Sequence, residues 1–269
     1  MTRIINILQK LGAAEAAAIK YSDCDVINER LAERLKFTPK TVIIATLPYY
    51  TEYCAANKTI SSYALAFDYH ILLKNIAEKA INEAKTIYPH ANFSFFGDHS
   101  PINEKSAAAK AGLGVIGLNS LLITPQHSSF VFLFEIITDL ECNEECGAIS
   151  LCSQCAKCIE ACPTYLKGVG DCLSTITQKK GNLTEEESNL IFESKCVWGC
   201  DICQAVCPYT INAIKRGTIY SKSEWFNNNI CAIPTEETIS DESDFAKRAY
   251  SWRGKDTILR NIKILNGDK

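Results

Sequence analysis

Apolar residues return every three to four positions at the start of the chain. Ile4, Ile7, Leu8 and Leu11 fall on one stripe, which predicts an amphipathic helix over residues 4–18. The period then changes. Residues 41–47, Thr-Val-Ile-Ile-Ala-Thr-Leu, form a short apolar run that predicts a buried strand, followed by a loop at Pro48. From residue 61 to 87 a helical spacing runs through Leu65, Ile71, Leu72, Ile76 and Ala80 and stops before Pro89. Residues 93–96 predict a strand, and Ser100-Pro101 offer a cap and first helical position for a helix through Ala111. Residues 121–124 and 130–137 predict two strands joined by 125–129. After Asp139 the texture shifts to cysteines and short helices. The expected division is therefore an α/β domain over 1–140, a cysteine-rich domain over 141–210, and a C-terminal tail over 211–269 packing on the core.

Composition narrows the class. The chain has 269 residues, 47% hydrophobic and 22% charged, an ordinary globular balance with room for a substantial core. A net charge of −3 advertises no global attraction to nucleic acid. No charged n-region, apolar h-region and cleavage site opens the sequence, so a cytoplasmic location is expected. Residues 111–134 carry no charge, but Asn119, Thr124, Gln126, His127, Ser128 and Ser129 would put a polar break mid-bilayer, so no membrane association is expected. Fourteen cysteines in such a compartment point to reduced thiols and metal ligation.

Their spacing says which metal. Cys152-x2-Cys155-x2-Cys158-x3-Cys162-Pro163 is the two-cluster ferredoxin run, in which three thiolates hold one [4Fe–4S] cube and the fourth crosses to another. Cys200-x2-Cys203-x3-Cys207-Pro208 supplies three more. With Cys207 crossing to Cys152, Cys155 and Cys158, the first cube is complete. The second then holds Cys162, Cys200 and Cys203 and lacks one ligand, for which Cys172 and Cys196 are both candidates on spacing alone. Cys142 and Cys146 are surplus to two cubes and are expected to ligate nothing.

Three further features draw notice. Gly112-x-Gly114-x-x-Gly117 spells a dinucleotide fingerprint, but a helical pattern precedes it and a β-rich one follows. A nucleotide site needs the reverse order, so these glycines are expected to form a tight turn. Asp98, in Gly-Asp-His-Ser-Pro between a strand end and a helix start, is either a turn or cap residue or a projecting active-site acid. His99 directly follows it, so the corrinoid lower-ligand spacing is absent. The stretch 245–263 holds Lys247, Arg248, Arg253, Lys255, Arg260 and Lys263 with Tyr250 and Trp252 interleaved, a local phosphate-seeking patch or a solvated helix face.

Taken together the chain resembles the epoxyqueuosine reductase family, the cobalamin- and iron–sulfur-dependent enzymes of tRNA queuosine synthesis. The resemblance rests on Tyr63-Ala-x3-Asp68-Tyr69-His70, Asp98-x2-Pro101-x2-Glu104-Lys105, the glycine stretch 109–117, and Asn119-Ser-Leu-Leu-Ile. It continues through Leu133-x-Glu135, the cysteine runs, Cys172-Leu-Ser, and Arg253-Gly-Lys255-x3-Leu-Arg260-Asn261. It implies an α+β chain: an α/β cobalamin-binding domain like that of reductive dehalogenases, with a ferredoxin-like double-cluster domain. It implies Asp98 as proton donor at the corrin, corrin contacts at Leu122, Leu133 and Ser174, and Cys172 rather than Cys196 as the missing ligand. An external low-potential donor would feed electrons through the two clusters to cobalt. This chain has Leu65 where the family usually has Arg, Leu118 where it has Lys, and Ser128 and Phe134 at glycine positions. Longer members carry a C-terminal helical repeat that grips tRNA, so here the basic stretch is expected to do so. The competing readings are a ferredoxin-like electron carrier and a corrinoid reductase of a small molecule.

Overall fold

The computed structural model describes residues 1–56, 58–142 and 152–267. The contacts divide the chain into two compact units, each assembled from three separate stretches. The first comprises 1–48, 70–155 and 212–222; the second comprises 49–69, 156–211 and 223–269. A linear partition at 140 and 210 is coarser than this, because 49–69 and 223–267 both pack with the cysteine-rich stretch. Among the described residues no helix is long and apolar enough to cross a membrane.

In the first unit, α1 (Thr2–Lys10) leads into β1 (Glu15–Lys20), α2 (Glu29–Ala32) and β2 (Thr41–Pro48). Then follow α3 (Tyr69–Ile87), β3 (Phe93–Phe96), α4 (Glu104–Lys110), a ribbon of β4 (Val115–Ile116) and β5 (Leu122–Ile123), and β6 (Val131–Thr138). The four long strands make one antiparallel sheet in the order β1-β2-β6-β3. All eight residues of β2 are buried, as expected of a strand covered on both faces. Val42, Ile44 and Ile137 on one face pack with Ala107, Ala108 and Ala111 of the α4 region and with Leu122. The alanines let α4 lie close to the sheet.

Several sequence expectations are corrected here. The first helix ends at Lys10 because Gly12 takes φ +111°, open to glycine and costly for other residues. The alanine-rich stretch after it pairs with β2 as a strand. The helix expected from residue 61 begins at Tyr69, because the preceding stretch is used in bridges from Ile60 to Trp198 and from Phe67 to Arg248. Ser100 and Pro101 do not open α4. Asn103 caps it, its side chain accepting the Ser106 N–H at 3.1 Å, while Ser100 donates to Glu135. The glycine turn is present, but what it must approach is its own chain. A Cβ on Gly114 would sit 2.3 Å from the Ile123 carbonyl oxygen, which only glycine allows.

The second unit is made of short helices: α5 (Lys157–Glu160), α6 (Pro163–Leu166), α7 (Leu173–Thr177), α8 (Glu185–Ser194) and α9 (Ile202–Ala205). Beyond them come α10 (Pro208–Arg216), whose residues from Asn212 on belong to the first unit, then α11 (Glu236–Ser240), α12 (Glu242–Phe245) and α13 (Lys255–Asn266). One apolar cluster gathers Leu173, Ile176, Leu190 and Ile191, flanked by Cys196, Cys200 and Ile264, and Trp198 and Tyr250 are also fully buried in this unit. Polar anchors add to this packing. Asn261, fully buried, donates to the carbonyls of Thr177 (2.7 Å) and Val197 (2.8 Å) and so ties α13 to two other stretches.

The strongest anchor is Asp201, between two cysteines of the second run. Its carboxylate accepts from Lys58 Nζ (2.6 Å), the Ser62 N–H (2.7 Å), the Ser62 hydroxyl (2.6 Å), the Ser61 hydroxyl and Gln204 Nε2 (3.2 Å). Burial alone would raise the acid, but the Lys58 charge and the hydroxyl donors outweigh it and hold Asp201 below the usual range. Its contribution to stability is therefore present at neutral pH and lost as acid protonates it. Asp201→Ala leaves a largely covered lysine and several donors without their anion, so a loss of about 3 kcal/mol is expected in anaerobic denaturant unfolding. A loss under about 1 kcal/mol, the level of an exposed ion pair, would show that the anchor is dispensable.

Candidate functional site

The cysteines sit where short helices start and stop. Cys158 lies on α5 and Cys203 on α9, and these two helices pack together. Cys162 is the residue before α6, with Pro163 at its first position, and Cys207 precedes α10, which begins at Pro208. A proline there gives up no needed N–H and turns the chain away from the sulfur. Cys172 is the residue before α7 and is exposed. Cys207 is buried, while Cys152, Cys158, Cys162, Cys200 and Cys203 are half-buried and Cys155 is exposed.

The thiols differ in their surroundings. For Cys162, burial raises the thiol but hydrogen bonds from Thr164 and the N–H groups of Tyr165 and Thr164 outweigh it, leaving it below the ordinary value. Cys200 and Cys196 are both pushed up by burial. The Cys196 Sγ–H donates to the Gly199 carbonyl at 2.8 Å. Cys142 is buried in the first unit, and Cys146 lies outside the described residues. Among the described residues no three of these side chains are gathered closely enough to hold a metal as they stand; it is the soft thiolate chemistry and the spacing of the two runs that fit an iron–sulfur group.

Asp98 lies in the first unit, in the loop between β3 and α4, at φ +60°. That left-handed conformation is uncommon outside glycine, asparagine and aspartate, and it needs local support. The support comes from Glu104 on α4, whose Oε1 accepts the Asp98 N–H at 3.0 Å. The Asp98 carboxylate lies 3.2 Å from His70 Nε2 on α3, and its side chain is 49% exposed. Since Asn103 caps α4, Asp98 is not the helix cap.

Behind this loop the structure shows acids that spacing did not single out as functional. Glu135 is in the middle of β6, paired with Ile44 and Phe96, and wholly buried. Glu104 is within hydrogen-bonding reach of it and is raised to about 7, first by burial, then by the neighbouring Asp98 charge against the lowering effect of its bond to Glu135. Glu135 is pushed up well beyond the carboxylate range by burial and by Glu104. The sequence signal was available: Glu135 is the one acid in an apolar strand run, Val-Phe-Leu-Phe-Glu-Ile-Ile.

The remaining expected contacts fall in both units. Leu122 is 4% exposed inside the apolar cluster, so its side chain underlies a surface rather than forming one; Leu133 is half-buried against the same cluster. Ser174, in the second unit, accepts from Gln178 Nε2 at 3.2 Å. Of the departures, Leu65 is buried, Phe134 is core and Leu118 is exposed.

The basic stretch is not one face. Arg248 is 5% exposed, doubly bonded to Asp244 (2.8 and 2.9 Å) and donating to the Leu65 and Asn229 carbonyls. Arg260 donates to the carbonyls of Lys179 and Gly181, and Lys255 pairs with Glu242 at 2.5 Å. What remains outward is Lys247, Lys263 and Trp252, which is 61% exposed and carries the half-buried Arg253 4.2 Å over its ring.

Comparison with known proteins agrees with this geometry. The 4Fe-4S double cluster binding domain family matches residues 151–210, which cover both cysteine runs. The epoxyqueuosine reductase of Lactococcus garvieae is 29% identical over 98% of this chain and 78% of its own length. That of Listeria monocytogenes is 31% identical over 89% of this chain and 67% of its own. A solved epoxyqueuosine reductase carrying an epoxyqueuosine-modified tRNA-Tyr stem loop superposes with a TM-score of 0.80 at 21% identity, over 99% of this chain and 80% of the other. The α+β fold is thus shared with that enzyme, and the electron-carrier reading is set aside. The chain belongs to the epoxyqueuosine reductase family of oxidoreductases and carries its 4Fe–4S double-cluster domain.

Proposed function

We propose that this chain reduces epoxyqueuosine to queuosine in tRNA, with Asp98 as the proton donor. The observation that carries the reading is Asp98 itself, held in a left-handed turn, half exposed, with its N–H donating to Glu104 and no capping role. Reductive opening of an epoxide leaves an oxygen that must be protonated, and a half-exposed carboxylic acid on a fixed loop can deliver that proton. The Glu104 bond fixes the backbone from which Asp98 projects, and His70 steadies the carboxyl from the other side.

The family depends on cobalamin, and bound corrinoid would supply the low-potential cobalt that delivers electrons to the epoxide. In the first unit Leu133, half-buried over the apolar cluster, and the Asp98 loop are the residues we assign to hold it. For the clusters we assign Cys152, Cys155, Cys158 and Cys207 to one and Cys162, Cys172, Cys200 and Cys203 to the other. The backbone bond already made by the Cys196 thiol supports leaving it out. The relative solved with a tRNA stem loop supports tRNA as the substrate carrier here. The Trp252–Arg253 stack is then the surface we assign to contact it, since a flat cation over an indole suits a nucleic acid's bases and phosphates.

Three measurements bear on this. Iron analysis after anaerobic reconstitution should give one cluster in Cys172→Ser and two in Cys196→Ser; the reverse result would exchange their roles. Asp98→Asn, nearly isosteric but unable to give a proton, should lower turnover by about 10²–10⁴-fold while cluster content stays the same. Turnover within a few-fold of wild type would remove Asp98 from the chemistry. In a salt series, Arg253→Ala should weaken tRNA binding and reduce the log–log salt slope by about one. Absence of tRNA binding by wild type at low salt would instead favour a small-molecule corrinoid reductase.

A further inference from the structure

Glu104 and Glu135 present a problem of proton accounting. Glu135 is wholly buried in the sheet, and its Oε1 accepts from the Ser100 hydroxyl. That hydroxyl is itself held in place by the Ile102 N–H, which donates to it at 3.1 Å. Among the described residues no N–H or O–H group reaches Glu135 Oε2. The other polar neighbour of Glu135 is a second carboxyl, Glu104. Two carboxylates cannot share that space without a proton between them, because a buried anion lacking a donor costs several kcal/mol. Glu104 in turn spends Oε1 on the Asp98 N–H.

We propose that Glu104 is a positioning residue for the reduction: it shares a single proton with Glu135, and through its carboxyl oxygen holds Asp98 in the left-handed turn that aims the acid at the substrate. The proposal rests on the reading of Asp98 as proton donor. The chain of contacts is direct. The Asp98 turn is strained, the Glu104 oxygen is the acceptor that stabilises it, and Glu135 fixes where that oxygen stands. The groups facing the pair are Asp98 from the loop, His70 from α3, Ser100, and Cys24 from the stretch before α2; Lys110 nearby is taken by Asp25 at 2.8 Å.

The arrangement has a pH signature. Glu104 is raised from an ordinary 4.5 to about 7, so its proton is bound more tightly in the folded than in the unfolded chain. For an acid raised in this way, the stabilisation is complete below about 4.5 and is lost as pH rises to about 7.

The test uses the full chain, cluster-loaded and anaerobic. Thermal midpoints measured from pH 5 to 8 should decline for wild type, and the decline should be shallower in Glu104→Gln, which cannot ionise but keeps an oxygen for the Asp98 N–H. A Glu104→Gln profile parallel to wild type overturns the shared proton. Under turnover with epoxyqueuosine tRNA, Glu104→Ala should lower kcat on the order of 10- to 100-fold at all pH values with KM little changed, as expected of a displaced catalytic group. Glu104→Gln should lose less and should lose the inflection near pH 7. Equal kcat values for Glu104→Ala and wild type overturn the positioning role. The thermal readout does not depend on the substrate, so a protein that turns over no tRNA refutes the assigned reaction and leaves the proton-sharing result standing.

Discussion

A single buried carboxylate sets the geometry of the electron-transfer half. Asp201 collects a lysine, two serine hydroxyls and a backbone N–H from residues 58–62, more than 130 positions earlier in the chain, and it does so from between Cys200 and Cys203. The second unit buries Trp198, Tyr250, Phe226 and Phe245, but apolar packing is non-directional and does not by itself fix register. A charge with a full set of donors adds that direction, because it has one arrangement of low energy and many of high energy. The sulfurs on either side inherit the constraint. Gly199, at φ +69° and with a would-be Cβ only 2.5 Å from Ser61, shows how closely the two stretches are drawn together.

Chemistry is more legible in this sequence than fold. Cysteine spacing is a local property, and ligand geometry for an iron–sulfur cluster follows from it directly, so both runs can be read from the residues alone. The strands β2, β3 and β6 are visible too, since an apolar run in a sheet reports its own burial. What the residues do not reveal are the choices decided by partners distant in sequence. The alanines of β1 favour helix locally, and pairing with β2 overrides them. Residues 61–68 carry a helical spacing, but Phe67 bridges to Arg248 and the neighbouring Ile60 to Trp198. The basic stretch is misread for the same reason: charge is visible in a sequence, but whether Arg248 meets solvent or Asp244 is not.

The acids near Asp98 occupy the middle ground. A lone glutamate in an apolar strand breaks a local rule, and such violations tend to mark functional or strained places. The sequence shows the violation at Glu135 but not its partner, because Glu104 comes from a helix that packs across the sheet 31 residues away. The two acids, Ser100 and the Asp98 turn form one hydrogen-bonded assembly built on β6, a central strand of the sheet. A loop would otherwise be a poor platform for a proton donor.

The interleaving of the two units has a consequence for how the protein is made. The first unit needs residues 212–222 and the second needs 223–267, so neither can be closed while the ribosome is still working on that region. Every cysteine of the two runs precedes the last stretch of its unit in the chain. The second unit is therefore fastened late, by a C-terminal stretch whose Asn261 on α13 donates to the carbonyls of Thr177 and Val197.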